Sequence, residues 1–168
     1  MSETVYLSIG SNLEDPVGKC KDAVERLKKL PMCEVTKVSS LYETEPWGAV
    51  DLSTGKQDNY INLAVEMTTS LSADKLLVIL KGLETQMGRE DNGKWQPRVI
   101  DFDIIFYGDR VIESPRLTVP HPHMEERKFV LEPLNEIAPD ALHPLTGLTV
   151  VEMVSELNDD SYCKKISE

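Results

Sequence analysis

Apolar and polar residues alternate over Val5-Tyr6-Leu7-Ser8-Ile9-Gly10, the period of a strand half buried in a sheet. Val5, Leu7 and Ile9 share one face, Tyr6, Ser8 and Gly10 the other, and Gly10-Ser11-Asn12 supplies the turn. Asp15-Pro16 fits a helix N-cap followed by proline at the first helical position. Val17, Cys20, Val24 and Leu27 continue at helical spacing until Pro31 closes the helix. Val35 to Tyr42 is predicted as a second strand and Tyr60 to Met67 as a third. In the third, Ile61, Leu63, Val65 and Met67 line one face; Tyr60, Asn62 and Ala64 line the other. Ser72 caps a second predicted helix with the stripe Ala73, Leu76, Leu77, Leu80, Leu83 and Met87, ended by Gly88. Val99 to Tyr107 reads as a buried strand ended by Gly108.

That order is β-α-β-β-α-β, which predicts an α+β, ferredoxin-like antiparallel sheet with helices on one face. The opposite face then gathers Tyr6, Ser8, Gly10, Tyr60, Asn62, Asp101 and Asp103. Two long loops, Glu43 to Asn59 and Arg89 to Pro97, are expected to flank it as active-site loops. Downstream, Met124 to Leu131 can be helical, with Pro133 breaking or restarting the helix. Leu148 to Leu157 is a last amphipathic helix before a polar end. With no repeat, low-complexity segment or linker, residues 1–168 are expected to be one domain.

The last core strand carries the chemistry. Ile100, Phe102, Ile104 and Phe106 fall on one face and are all apolar. Asp101 and Asp103 fall together on the other, about 6–7 Å apart along the strand. Aspartate is disfavoured in strands, and two half-buried carboxylates repel. A shared cation relieves that repulsion, and Mg²⁺ prefers such oxygen ligands. Two merely solvated acids on an open strand face are the plain alternative.

Composition narrows the classes. The net charge of −11, from 18 basic and 29 acidic residues, opposes a general nucleic-acid binder or an anionic membrane partner. No apolar run approaches the ~20 residues of a membrane span, and Met1-Ser2-Glu3-Thr4 lacks the start of a signal peptide. Cys20, Cys33 and Cys163 are far apart, which suits free thiols in the cytoplasm. Five of the six arginines, Arg89, Arg98, Arg110, Arg116 and Arg127, lie in the second half near the acid pair. Arginine suits bidentate phosphate contact, so a nucleotide polyphosphate is indicated; Arg110, in a Gly-Asp-Arg turn, reads as an ordinary surface residue. His121 and His123, in a proline-stiffened turn, could meet phosphate or adenine, or serve only as surface or core histidines. There is no P-loop and no GxGxxG, so an ATP site here is of another kind. A regulatory ligand-binding module of the same fold and a metal-dependent nuclease remain alternatives, the second disfavoured by charge.

Several separated motifs resemble the hydroxymethyldihydropterin pyrophosphokinase family of folate biosynthesis. They are Pro97-Arg98 with Asp101-Phe102-Asp103, Gly10-Ser11-Asn12, Ser40 to Gly48, Tyr60-Ile61-Asn62 and Arg116-Leu117-Thr118-Val119-Pro120-His121. The resemblance implies an enzyme that moves pyrophosphate from ATP to 6-hydroxymethyl-7,8-dihydropterin, with AMP leaving. It implies two Mg²⁺ ions on Asp101 and Asp103, with Arg89 and Arg98 also catalytic. Lys81, Glu84, Lys94, Trp95, Ile104, Arg116, Thr118, His121 and Arg127 would bind ATP. Thr44, Pro46, Trp47, Tyr60, Asn62 and Phe129 would frame the pterin. The implied partners are small molecules alone, with no nucleic acid or membrane, and the chain is expected to be a monomer. The chain departs from the family pattern at Gln96, where glycine is common, at Trp47, where an aliphatic residue is frequent, and at Lys81, often glutamine. Its loop after Gly48 is also longer than in the common short forms.

Overall fold

A computed structural model describes residues 2–12, 14–45, 59–88 and 100–166. Both expected loops fall mainly on residues outside these ranges. So do the predicted site residues Pro46, Trp47, Arg89, Lys94, Trp95 and Arg98, together with Gln96.

The alternating segments form β1 (Glu3–Ser11), β2 (Cys33–Val38), β3 (Leu41–Thr44), β4 (Tyr60–Thr69) and β5 (Asp101–Tyr107). The helical stripes form α1 (Pro16–Lys28) and α2 (Ala73–Gln86). Asp15 caps α1 by accepting from the Gly18 amide, and Ser72 caps α2 by accepting from the Lys75 amide. The tail adds a two-stranded hairpin, β6 (Ile112–Glu113) and β7 (Thr118–Val119), then α3 (Lys128–Ile137), α4 (Val150–Ser155) and β8 (Cys163–Ile166). The main sheet runs β5-β1-β4-β3-β8, with β2 also paired to β4, and all pairings are antiparallel. Between the sheet and α1 and α2 lies a core holding Val5, Leu7, Ile9, Leu63, Val65, Met67, Leu76, Leu80 and Phe102.

The α+β, ferredoxin-like arrangement is the one expected, and four details differ. The predicted strand Val35 to Tyr42 is two strands, and the expected loop start at Glu43 and Thr44 belongs to β3. Ser39 divides them: its N–H donates to the Ala64 carbonyl at 2.9 Å, while its Oγ accepts from the Ala64 amide at 2.8 Å. A side chain thus takes the place of a backbone carbonyl in the ladder.

Second, Phe106 is not on the face of Phe102. The register shifts from Leu7↔Ile104 to Tyr6↔Phe106, so Ile105 is an extra residue, a bulge that reverses the alternation. Ile105 and Phe106 therefore enter a second core with Ala64, Met124, Val130, Leu131, Leu134, Val150 and Met153. Tyr6 packs there too, its ring edge-on to Phe106 and its hydroxyl donating to Glu66 at 2.7 Å, rather than facing an open site.

Third, that second core is roofed by α3 and α4, so helices also cover part of the far sheet face. Pro133 sits inside α3 without ending it. Proline has no N–H for the Phe129 carbonyl, and burial of Val130, Leu131, Pro133, Leu134 and Ile137 offsets that loss. Glu136 adds a latch, accepting from the Tyr42 hydroxyl at 2.7 Å and the Ser40 amide at 2.9 Å. The predicted helix Leu148 to Leu157 is ordered as helix only over Val150–Ser155, behind a Thr149–Glu152 capping box. Fourth, the polar end contains a strand absent from the expected elements: Cys163–Ile166 pairs with β3 at the edge of the sheet.

His143 turns the chain into α4. It is buried, stacks edge-on against Phe106, and its Nδ1 accepts from the Leu145 and Thr146 amides at 3.2 Å each. Burial lowers its pKa below the ordinary 6.5. The unfolded chain takes up the proton first, so this contribution is whole above pH 6.5 and is lost as pH falls below it. Thermal melts across that range should show the loss in the parent protein, and His143→Ala should flatten this part of the profile.

Candidate active site

Four strands, β1, β3, β4 and β5, and the start of α3 converge on one cavity of about 300 Å³. Strand register lays out its floor: Asp101 lies opposite Gly10, Gly10 opposite Asn62, and Asp103 opposite Ser8. Thr44 and Tyr60 form the next pair along. The walls are Thr44 and Glu45, at the end of β3, and Arg127 and Phe129, at the start of α3. Gly10 is required here by close approach, since a Cβ at that position would lie 2.4 Å from Asn62 Oδ1. Asn62 is buried, and its Nδ2 donates to Thr44 Oγ1 at 2.6 Å. Its amide is thus fixed, which suits a ligand read through hydrogen bonds along one edge.

A second cavity, about 250 Å³, opens on the other side of β5. Lys81 and Leu77 of α2 line it, with Phe102, Asp103 and Ile104, and the β6–β7 hairpin supplies Ser114, Pro115, Arg116, Leu117 and Thr118. His121 and Pro122 close it. The bulged Ile105 places His121, because its carbonyl accepts the His121 backbone N–H at 3.0 Å. Asp103 lines both cavities.

The electrostatics centre on Asp103. Burial raises its pKa; His121 opposes that shift, the Asp101 charge reinforces it, and Lys81 and Arg127 oppose it. His121 is pushed the other way by burial, and its Nδ1 has no hydrogen-bond partner among the described residues. Glu84 is fully buried; its Oε2 accepts from the Phe102 amide at 2.8 Å and lies 3.2 Å from Lys81 Nζ. Burial raises its pKa, against the Phe102 amide and Lys81. A carboxylate on α2 therefore pins the backbone between the two aspartates. The hydroxyl of Tyr60 is pushed up by burial and by the charge of Asp101.

Of the site residues expected from sequence, Asp101, Asp103, Thr44, Tyr60, Asn62 and Phe129 meet in the first cavity. Lys81, Ile104, Arg116, Thr118 and His121 meet in the second. Arg127, expected with the nucleotide, lines the first. Glu84 lines neither and works from beneath. Arg110 bears out its plain reading: it pairs with Glu3 at 3.1 Å and stacks over Tyr107. His123 is an exposed partner of Glu126. Sequence reasoning missed Glu45, Leu77, Ser114, Pro115, Leu117 and Pro122. Only the hairpin residues carried a signal, as neighbours of Arg116 and Thr118.

Asp101 and Asp103 offer hard oxygen donors to one cavity, and no group of three or more ligating side chains occurs among the described residues. That donor set fits Mg²⁺, which takes one or two carboxylates and completes its shell with phosphate oxygens and water. No helix among the described residues is long and apolar enough to cross a membrane.

Comparison with known proteins agrees with this arrangement. The profile of the 7,8-dihydro-6-hydroxymethylpterin-pyrophosphokinase family matches residues 6–139. A 2-amino-4-hydroxy-6-hydroxymethyldihydropteridine pyrophosphokinase of Aquifex aeolicus is 38% identical over 160 residues, 95% of this chain and 96% of its own. One from Bacillus subtilis is 42% identical over 137 residues, 82% of this chain and 79% of its own. Among solved structures, a Plasmodium falciparum HPPK-DHPS superposes with a TM-score of 0.74 at 17% identity. That match covers 93% of this chain but only 45% of the larger one, and it speaks for the fold alone. The family profile and these relatives show that the chain belongs to the 7,8-dihydro-6-hydroxymethylpterin-pyrophosphokinase family, enzymes of folate biosynthesis.

Proposed function

We propose that the chain transfers the β,γ-pyrophosphoryl group of ATP to the hydroxymethyl oxygen of 6-hydroxymethyl-7,8-dihydropterin, releasing AMP. The observation that carries this reading is the position of Asp103, which faces both cavities at once. The fixed amide of Asn62 takes the hydrogen-bonding edge of the pterin, and Tyr60 and Phe129 bound its faces. Lys81, Arg116, Thr118 and His121 take the nucleotide from the other side of β5. The polyphosphate then lies across the carboxylates, where the hydroxymethyl oxygen can approach the β-phosphorus in line. Its bond to that phosphorus forms as the α–β bridging bond breaks, AMP carries off the bridging oxygen, and the hydroxyl proton goes to solvent.

Asp101 and Asp103 would hold magnesium, two ions on the reading from sequence, which when bound neutralises phosphate charge on both sides of the breaking bond. Arg127 lies beside the first cavity, where it can meet the transferred phosphates. Arg89, Arg98, Lys94 and Trp95 are assigned to closing over the nucleotide, and Pro46 and Trp47 to the pterin, on their matches to the family motifs. Positioning and charge carry the rate. One sheet contributes to both cavities, which supports a single catalytic domain; a monomer acting in the cytoplasm on small molecules alone is the reading from sequence.

The test is chromatographic. With ATP, Mg²⁺ and 6-hydroxymethyl-7,8-dihydropterin, AMP should appear one-for-one with pterin diphosphate. ADP as the nucleotide product, or AMP formed equally without the pterin, would overturn the assignment.

A further inference from the structure

The two walls of the first cavity come from distant parts of the chain, β3 with its following residue and the first turn of α3. Both are fastened to the same short segment, Asp159 to Tyr162, which does not itself line that cavity. Asp159 Oδ2 accepts from the backbone N–H of Lys128, the first residue of α3, at 3.2 Å. Arg127, the residue at the N-cap position of α3, makes no side-chain cap bond there. Asp159 thus supplies from across the chain the acceptor that a local serine or aspartate normally gives. Its other oxygen accepts from the Ser161 amide at 2.9 Å, which shapes the segment. Lys128 Nζ donates to the Ser161 carbonyl at 3.2 Å, a second tie to α3. On the other side, Tyr162 N–H donates to Glu45 Oε1 at 2.9 Å, and the Glu45 amide donates to the Tyr162 carbonyl at 3.2 Å. The Tyr162 hydroxyl reaches Glu43 at 3.2 Å, and the pairing continues as Thr44↔Cys163.

We infer that residues 159–162 are a clasp that sets the width of the pterin cavity, with Asp159 as its positioning residue. It fixes the position of Phe129 relative to Thr44 and Glu45 by gripping the main chain beside each. The nucleotide cavity, on the other side of β5, has no wall in this clasp. Loss of the clasp should therefore separate the two substrates. The inference rests on the function proposed above.

The test is Asp159→Ala, read three ways. KM for the pterin should rise about fivefold, the size of a lost helix cap, while KM for ATP stays within about twofold. Hydrogen exchange at the amides of Lys128 to Leu131 should quicken in the absence of either substrate. Asp159→Asn, which keeps one carbonyl acceptor for the Lys128 amide, should recover most of both effects. Should Asp159→Ala fail to fold, Lys128→Met, which removes the Nζ bond to the Ser161 carbonyl and the positive charge beside Asp159 but keeps the backbone N–H, carries the same readings. Unchanged exchange in α3, or equal rises in both KM values, overturns the clasp. If the parent protein makes no pterin diphosphate, the functional reading falls, and the exchange measurement still decides the clasp.

Discussion

Asp103→Asn should abolish most of the transfer while leaving a protein that is folded and, without divalent cations, more stable than its parent. The substitution keeps shape and removes the one charge that, among the described residues, faces both cavities. Losing a principal electrostatic contact to the reacting phosphates should cost on the order of a hundred- to a thousandfold in kcat. Stability moves the other way. Burial holds the Asp103 carboxyl above its usual range, so the folded protein pays for ionising it. Below the ordinary value of 3.8 the group is protonated in both states and costs nothing. As pH rises, the unfolded chain releases the proton first and stability falls until the raised folded pKa is passed. The variant has no such loss, so its advantage in Tm should be absent in acid, open above about pH 4 and persist at neutrality. Asp101→Asn should lose turnover comparably. Full activity in either variant would remove the pair from the mechanism.

Asn62→Ala should separate the substrates most sharply. Its amide is buried, donates to Thr44, and stands where Gly10 leaves room for it. A pterin edge desolvated without its partner should bind about 10- to 100-fold more weakly. ATP, across β5, should bind within a few-fold of the parent. Calorimetric titration of each ligand measures both. Gly10→Ala should reproduce the effect, because its methyl group cannot coexist with the Asn62 side chain as placed. Equal weakening of both ligands would move Asn62 out of the pterin contact.

The site could be read ahead of the structure where a period of two decides it. Ser8 and Gly10, Tyr60 and Asn62, and Asp101 and Asp103 each lie two residues apart, and antiparallel register makes them neighbours. The reading failed where long-range contacts overrule local rules. Pro133 forbids a helix locally, yet α3 persists because its buried face and Glu136 hold it. Cys163–Ile166 carries two lysines and looks like a solvated tail, yet β3 offers an edge for it to pair with. Ile104-Ile105-Phe106 is apolar throughout, so nothing in it marks where the alternation breaks. For Arg127 the family resemblance implies a nucleotide contact, and the start of α3 sets it beside the first cavity, a placement that no local pattern in the sequence encodes.

That break has a consequence for anyone moving the Asp-Phe-Asp triplet into another scaffold. With the bulge, β5 behaves as two half-strands in opposite phase, one aiming acids outward and the other aiming Ile105 and Phe106 to the same side, under a roof. A regular strand can copy the acids but then sends the second half the wrong way and forfeits the foundation of α3. The portable unit is therefore the triplet plus its phase shift, and the extra residue travels with the chemistry although it touches no substrate.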